Sequence, residues 1–154
     1  MTATSSSSRT TEGRTVAAVA LSALVGAAAA GLATAAIALI ARAAGASHDF
    51  RPLWPSSYLP LTVLGVLAGA IGWQIIRRRA ARPASVLRWL VPAAVALSLI
   101  PDIAVGAAGT SPGVSWGAVS ALMLMHLAVA AAAVTVYRWL MPVAASLNSH
   151  SARG

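Results

Sequence analysis

The sequence predicts an all-α fold, a polytopic membrane protein with four transmembrane helices in an up-down bundle. Three observations lead there. Of the 154 residues, 58% are hydrophobic and only 9% are Asp, Glu, Lys or Arg, whereas soluble domains carry roughly 25% charged residues. The apolar residues are gathered into four long runs, and the arginines stand beside those runs or close to their ends. A water-soluble chain of this size has too much surface for its volume to enclose so much apolar side chain in one core. Its richness in Ala, Leu, Val and Ile equally excludes a disordered chain.

The elements follow in order. Residues 1–15 form a Ser/Thr-rich head carrying Arg9, Glu12 and Arg14, with too little apolar surface to order itself, and are expected to be a flexible cytoplasmic tail. The first span, 16–40, runs uncharged from Val16 to Ile40. As a helix it would reach about 37 Å, enough to cross a hydrocarbon core of about 30 Å with some tilt. Small residues at Ala41, Ala43 and Ala44 resemble a signal-peptidase site, but the apolar core of a signal peptide covers only about 7–15 residues, so a retained span is the preferred reading.

A polar, Pro-containing connector from His48 to Tyr58 leads to the second span, 59–76, which ends abruptly at Arg77, Arg78 and Arg79. The third span, 86–108, is interrupted by Pro92 and by the adjacent Pro101 and Asp102. Gly, Ser and Pro between Ala107 and Ser115 mark a tight turn. The fourth span, 116–140, is followed by Pro142 and a polar C-terminal tail, 141–154, expected in the cytoplasm. The transmembrane domain is thus expected to occupy 16–140.

Charge sets the expected orientation. With the amino terminus inside, the cytoplasmic side receives Arg9, Arg14, Arg77, Arg78, Arg79, Arg82, Arg88, Arg138 and Arg153, and the outer side only Arg42 and Arg51. Five of those nine lie in or beside one short loop, where the positive-inside rule is strongest. Arg77, Arg78, Arg79, Arg82 and Arg88 are therefore read as topology signals and contacts to lipid headgroups. The aromatic residues agree: Phe50, Trp54, Tyr58 and Trp116 fall at the expected outer interface, and Trp73, Trp89, Tyr137 and Trp139 at the inner one. Two belts of that kind suit a bilayer, whereas a soluble core would bury its aromatics. The net charge of +8 contains no Lys at all, and with its arginines beside apolar runs the chain is expected to bind no nucleic acid.

Few residues offer chemistry. Asp102 lies about 9 Å below the outer end of the third run, counted by helical rise. A carboxylate at that depth is costly and marks a proton or cation site when a helix carries it. Pro and Asp together are also strong turn formers, and the preferred reading ends the third helix near Pro101, leaving Asp102 at the outer interface. Ser98 shares the face of Asp102 four residues back.

His126 falls near the middle of the fourth run. Imidazole is the side chain whose charge changes most readily in the physiological range, but the preferred reading is a neutral His hydrogen-bonded between helices. In a hairpin of the third and fourth helices, Asp102 and His126 would differ in depth by several ångströms, so a contact is open. Gly65 and Gly69, extended by Gly72, and Gly26 with Ser22 and Ala30 are expected to let helix backbones approach closely. His48 and Asp49 are adjacent rather than on one helical face and have no Cys to support them, so no metal is expected. No Walker loop, no G-x-G-x-x-G and no G-x-S-x-G elbow is present. No cofactor is implied.

Three segments carry a resemblance: Leu67-Ala-Gly-Ala-Ile-Gly-Trp73, Ser98-Leu-Ile-Pro-Asp-Ile103 and Leu122-Met-Leu-Met-His-Leu-Ala-Val129. Together they resemble a family of small actinobacterial four-helix membrane proteins of unknown function, across about the last two thirds of the chain. The resemblance implies four spans and brings no activity and no site residue with it. The expected function is that of a non-enzymatic, multi-pass component of the cell membrane, structural or partner-binding. Its partners would be the bilayer and another membrane protein or a second copy of itself. The alternative is a small proton- or ion-linked transporter or channel-like subunit using Asp102 and His126.

Overall fold

A computed structural model describes residues 4–143. It is all-helical: α1 (Thr4–Ala43), a short 3-10 turn at Arg51–Leu53, α2 (Pro55–Arg79), α3 (Pro83–Ala108) and α4 (Trp116–Leu140). All four α-helices are long and apolar enough to cross a membrane. Each of α2, α3 and α4 encloses its expected span and extends it by no more than a few residues. α1 differs: it begins at Thr4, within the head expected to be unordered. At about 1.5 Å per residue it is about 60 Å long, twice what a bilayer needs. The C-terminal tail lies, from residue 144 onward, outside the described residues.

The end of the bundle bearing Arg77, Arg78 and Arg79 is called here the arginine end, and the opposite one the far end. At the far end α1 stops in a Schellman motif. Gly45 has φ 96°, its N–H donates to the Arg42 carbonyl, and the Ala46 N–H reaches back to Ala41. A left-handed residue at that position suits Gly, and the two bonds satisfy carbonyls that the helix end would otherwise orphan. Gly113 also has a positive φ of 68°, and a Cβ there would lie only 2.7 Å from Ser47, so the two far-end loops pack directly on each other.

Packing starts from α1. Its buried positions are Ser22, Ala23, Gly26, Ala30, Thr34 and Ala38, all small, and all but Ala23 recur every fourth residue. Stacked along one face, they let α4 come close, and α1 with α4 makes the most extensive helix pair, followed by α1 with α2. The Ser22 hydroxyl donates to Ala18 and the Thr34 hydroxyl to Gly31, so neither leaves a buried donor unpaired. α2 turns Tyr58, Thr62, Val66, Ala70 and Trp73 inward. At the arginine end the Tyr137 hydroxyl donates to the Val66 carbonyl, and the Trp73 indole N–H donates to Met141 at 3.0 Å. These bonds tie α4 to α2 across two apolar faces.

The aromatics keep their expected levels but not all of their expected directions. Trp54, Trp89, Trp116 and Trp139 face outward, while Phe50, Tyr58, Trp73 and Tyr137 are buried. The inward four plug the two ends of the bundle. Phe50 and Tyr58 close the far-end core with Leu53, Leu122 and Met125; Trp73 and Tyr137 close the other with Leu87 and Met141. The large rings fill space that small alanine side chains would leave empty at these two ends.

The glycines divide as well. A Cβ on Gly69 would meet the Tyr137 hydroxyl at 3.1 Å, and one on Gly26 would meet Val66 at 3.1 Å. These two do permit close approach. Gly65 and Gly72 do not: nothing lies within 4 Å of a Cβ at either. Gly69→Val should therefore lower the stability of the chain in detergent by about 1–3 kcal/mol, the usual cost of overpacking, and Gly72→Val should not. Thermal unfolding of both variants checks this, and equal losses would contradict it.

Candidate intramembrane polar site

α3 is the loosely held helix. It leans on α4, touches α2 little, and buries only Leu87 and Asp102. Near the far end a Cβ on Gly106 would meet Trp116 at 3.0 Å and Val119 at 3.2 Å, so α3 and α4 are in close contact there. Toward the middle α3 and α2 stand apart. The gap is a crevice of about 670 Å³, running from Arg51 and Ser57 at its rim to Ala94 and Ala133 at its floor. By helical rise from Trp116 to Ala133, it reaches about 25 Å into the bundle.

Asp102, His126 and Ser98 all line this crevice. The expectation that α3 ends near Pro101 is overturned, since the helix continues to Ala108 with Pro92 and Pro101 inside it. Pro101 deprives the helix of one backbone hydrogen bond. A turn would expose several more backbone groups, and in hydrocarbon that costs more than the one bond lost. Asp102 is consequently a helical residue, only 9% exposed, not a turn residue.

Asp102 Oδ2 lies 3.0 Å from His126 Nδ1, so the two residues meet. The same nitrogen lies 3.0 Å from the Leu122 carbonyl one turn back on α4. A carbonyl oxygen can only accept, so the tautomer that makes this bond carries its hydrogen on Nδ1. Oδ2 therefore sits at ion-pair distance from the imidazole yet receives no hydrogen bond, and it is buried. His126 touches α3 at Asp102, but the hydrogen bond expected between helices runs instead within α4, to Leu122. The Ser98 hydroxyl donates to Val95 at 2.7 Å, which leaves its lone pairs to face the crevice.

Thr34 from α1, Tyr58 and Thr62 from α2, and Arg51 from the connector complete the polar part of the wall. Sequence reasoning did not single them out as site residues. The signal available was the single Thr in each of two largely apolar runs, Thr34 and Thr62, each on the buried face of its helix. Leu61, Met125, Val129 and Ala130 supply apolar wall. Gly65 lines the crevice too, which explains the open space where its Cβ would be. Among the described residues no group of three or more His, Cys, Asp or Glu side chains comes together.

The arginines mark the other end. Arg77 and Arg14 border a smaller pocket of about 240 Å³ with Gln74. Arg78, Arg79, Arg82 and Arg88 are exposed, and the Arg88 guanidinium lies 5.8 Å from the ring of its neighbour Trp89. None of these arginines approaches the crevice.

Neither the curated proteins nor the solved structures include a match to this chain. A family model does match it, over residues 14–140, which takes in all of α2, α3 and α4 and nearly all of α1 that lies within a bilayer's reach; it is described as a family of unknown function (DUF6069). That match spans most of the chain, including every residue of the crevice, and the protein belongs to this family.

Proposed function

We propose that the chain is a multi-pass component of the cell membrane, with both termini in the cytoplasm, that acts by binding and not by catalysing a covalent reaction. The observation that carries this reading is the crevice, a volume of about 670 Å³ that the protein's own side chains leave unfilled and that falls in the range of ligand sites. Its makeup supports the same reading: mostly apolar walls with a few convergent polar groups. Catalysis of a covalent step needs a nucleophile beside a base. The chain has neither Cys nor Lys, and the Ser98 hydroxyl is already donated to Val95. The arginine distribution supports a cytoplasmic placement for the arginine end.

The absence of native Cys makes single-cysteine labelling the direct test. In intact cells a membrane-impermeant maleimide should modify Ser111→Cys, whereas Ala81→Cys should react only after permeabilisation. A small permeant thiol reagent should reach Ser98→Cys in the crevice and spare Ala30→Cys, which is fully buried between helices. Labelling of Ala81→Cys from outside reverses the orientation, and an inert Ser98→Cys means that the crevice is filled.

A second reading, proton-linked transport, is favoured by the 3.0 Å contact of Asp102 with His126. It requires pH-dependent flux in reconstituted vesicles that Asp102→Asn and His126→Gln both abolish. Unchanged flux in folded variants rejects it.

A further inference from the structure

The wall of the crevice has a bias in its hydrogen bonding. Three groups that could have donated to an occupant spend their hydrogens within their own helices: Ser98 to Val95, Thr34 to Gly31 and His126 Nδ1 to Leu122. With its hydrogen so used, Ser98 can only accept from an occupant. The Asp102 carboxylate accepts and does not donate, and Asp102 lines the crevice. Ser57, Tyr58 and Thr62 can serve either way, so they set no preference. A ligand that only accepts, such as a ketone, ester or phosphate, finds few partners here. A ligand that donates finds several, one of them anionic.

Charge points the same way. The charged or titratable groups on this wall are Arg51 from the connector, Tyr58 from α2, Asp102 from α3 and His126 from α4; α1 contributes only Thr34. Arg51 stands at the rim, its guanidinium 5.6 Å from the centre of the Trp54 ring. Asp102 lies deeper; a neutral imidazole 3.0 Å away does not balance its charge, and a carboxylate away from water calls for a positive partner. Below it, Val95, Val129, Ala130 and Ala133 make an apolar floor. The shape therefore suits a positive, hydrogen-bond-donating head at the level of Asp102 with an apolar body beneath it.

We propose that the crevice between α2 and α3 binds a lipophilic organic ammonium ion, a protonated amine on an apolar body, with Asp102 as its counter-ion. This rests on the binding reading above and names the ligand class for the same site. The ammonium hydrogens are accepted by the Asp102 carboxylate and the Ser98 oxygen, and the hydrocarbon body takes up the space beside Gly65 that no side chain fills.

The test uses the full chain in phosphatidylcholine nanodiscs near pH 7, where a primary amine remains protonated. Equilibrium dialysis is run with decylammonium, decanol and decanoate, which share a tail and differ in head charge, with uptake by empty nanodiscs subtracted. Decylammonium should bind saturably, about one per chain, and more tightly than decanol, with decanoate weakest. Asp102→Asn should weaken decylammonium roughly thirtyfold or more and leave decanol unchanged. Gly65→Leu, which puts a side chain into the open volume without touching Asp102, should abolish binding of both. If Asp102→Asn fails to fold, the order of the three probes and the effect of Gly65→Leu still decide.

Equal binding of the three probes would make this a groove for lipid chains and overturn the proposal. Preference for decanoate would overturn it in favour of an anion site at Arg51. Absence of saturable binding also overturns it. In that case a reactive Ser98→Cys leaves the binding reading standing, and an inert one removes both.

Discussion

Hydrocarbon offers no partner to a backbone N–H or C=O, and nearly every local choice in this chain follows from that. In water, Pro101 followed by Asp102 would end a helix, because solvent satisfies whatever the turn exposes. Here α3 continues to Ala108, giving up one bond to keep the rest. The same constraint governs the hydroxyls. Ser22, Thr34, Ser98 and Thr135 each donate to a carbonyl three or four residues back on their own helix, so each of these four is satisfied before any helix meets another.

Helices whose polar groups are already satisfied associate through shape and a few cross-helix contacts. α1 and α4 have the shape: the small residues from Ser22 to Ala38 form a flat face along α1, and this pair is the backbone of the fold. α2 joins through the hydrogen bonds of Tyr137 and Trp73. α3 has neither a long small-residue face nor a ring turned inward. It is held by the close contact at Gly106, by Leu87, and by the 3.0 Å approach of Asp102 to His126. The crevice is the consequence of that weak attachment, and Asp102 is at once what fixes α3 and what gives the cavity its chemistry.

Much of this architecture was legible in the sequence because bilayer thickness converts directly into run length. The spans expected at 59–76, 86–108 and 116–140 lie inside α2, α3 and α4. Asp102, His126 and Ser98 stood out for a related reason, as polar side chains in apolar runs. What the sequence did not reveal was direction. Phe50, Tyr58, Trp73 and Tyr137 sit at the levels expected of interfacial rings, yet they point into the bundle, and level along a helix says nothing about the angle around it. Gly65 and Gly69 form a GxxxG pair by spacing, but only Gly69 faces a neighbour. The Pro101-Asp102 expectation failed because turn preferences learned in water were applied where water is absent. The helical head of α1 from Thr4 shows the opposite limit: composition alone gave no reason to extend a helix through a Ser/Thr-rich segment, although an established helix propagates at little cost.

The central claim is that α3 runs unbroken through Pro101 and so holds Asp102 inside the bundle. Residue-resolved amide hydrogen exchange on the chain in nanodiscs tests it most directly. The amides of Asp102, Ile103, Ala104 and Val105 should exchange slowly, as slowly as those of Ala94 to Ser98 and far more slowly than those of the Ser111 to Gly113 loop. Exchange at Asp102 and Ile103 as fast as in that loop would place them in a solvated turn, and the crevice with its buried carboxylate would not exist.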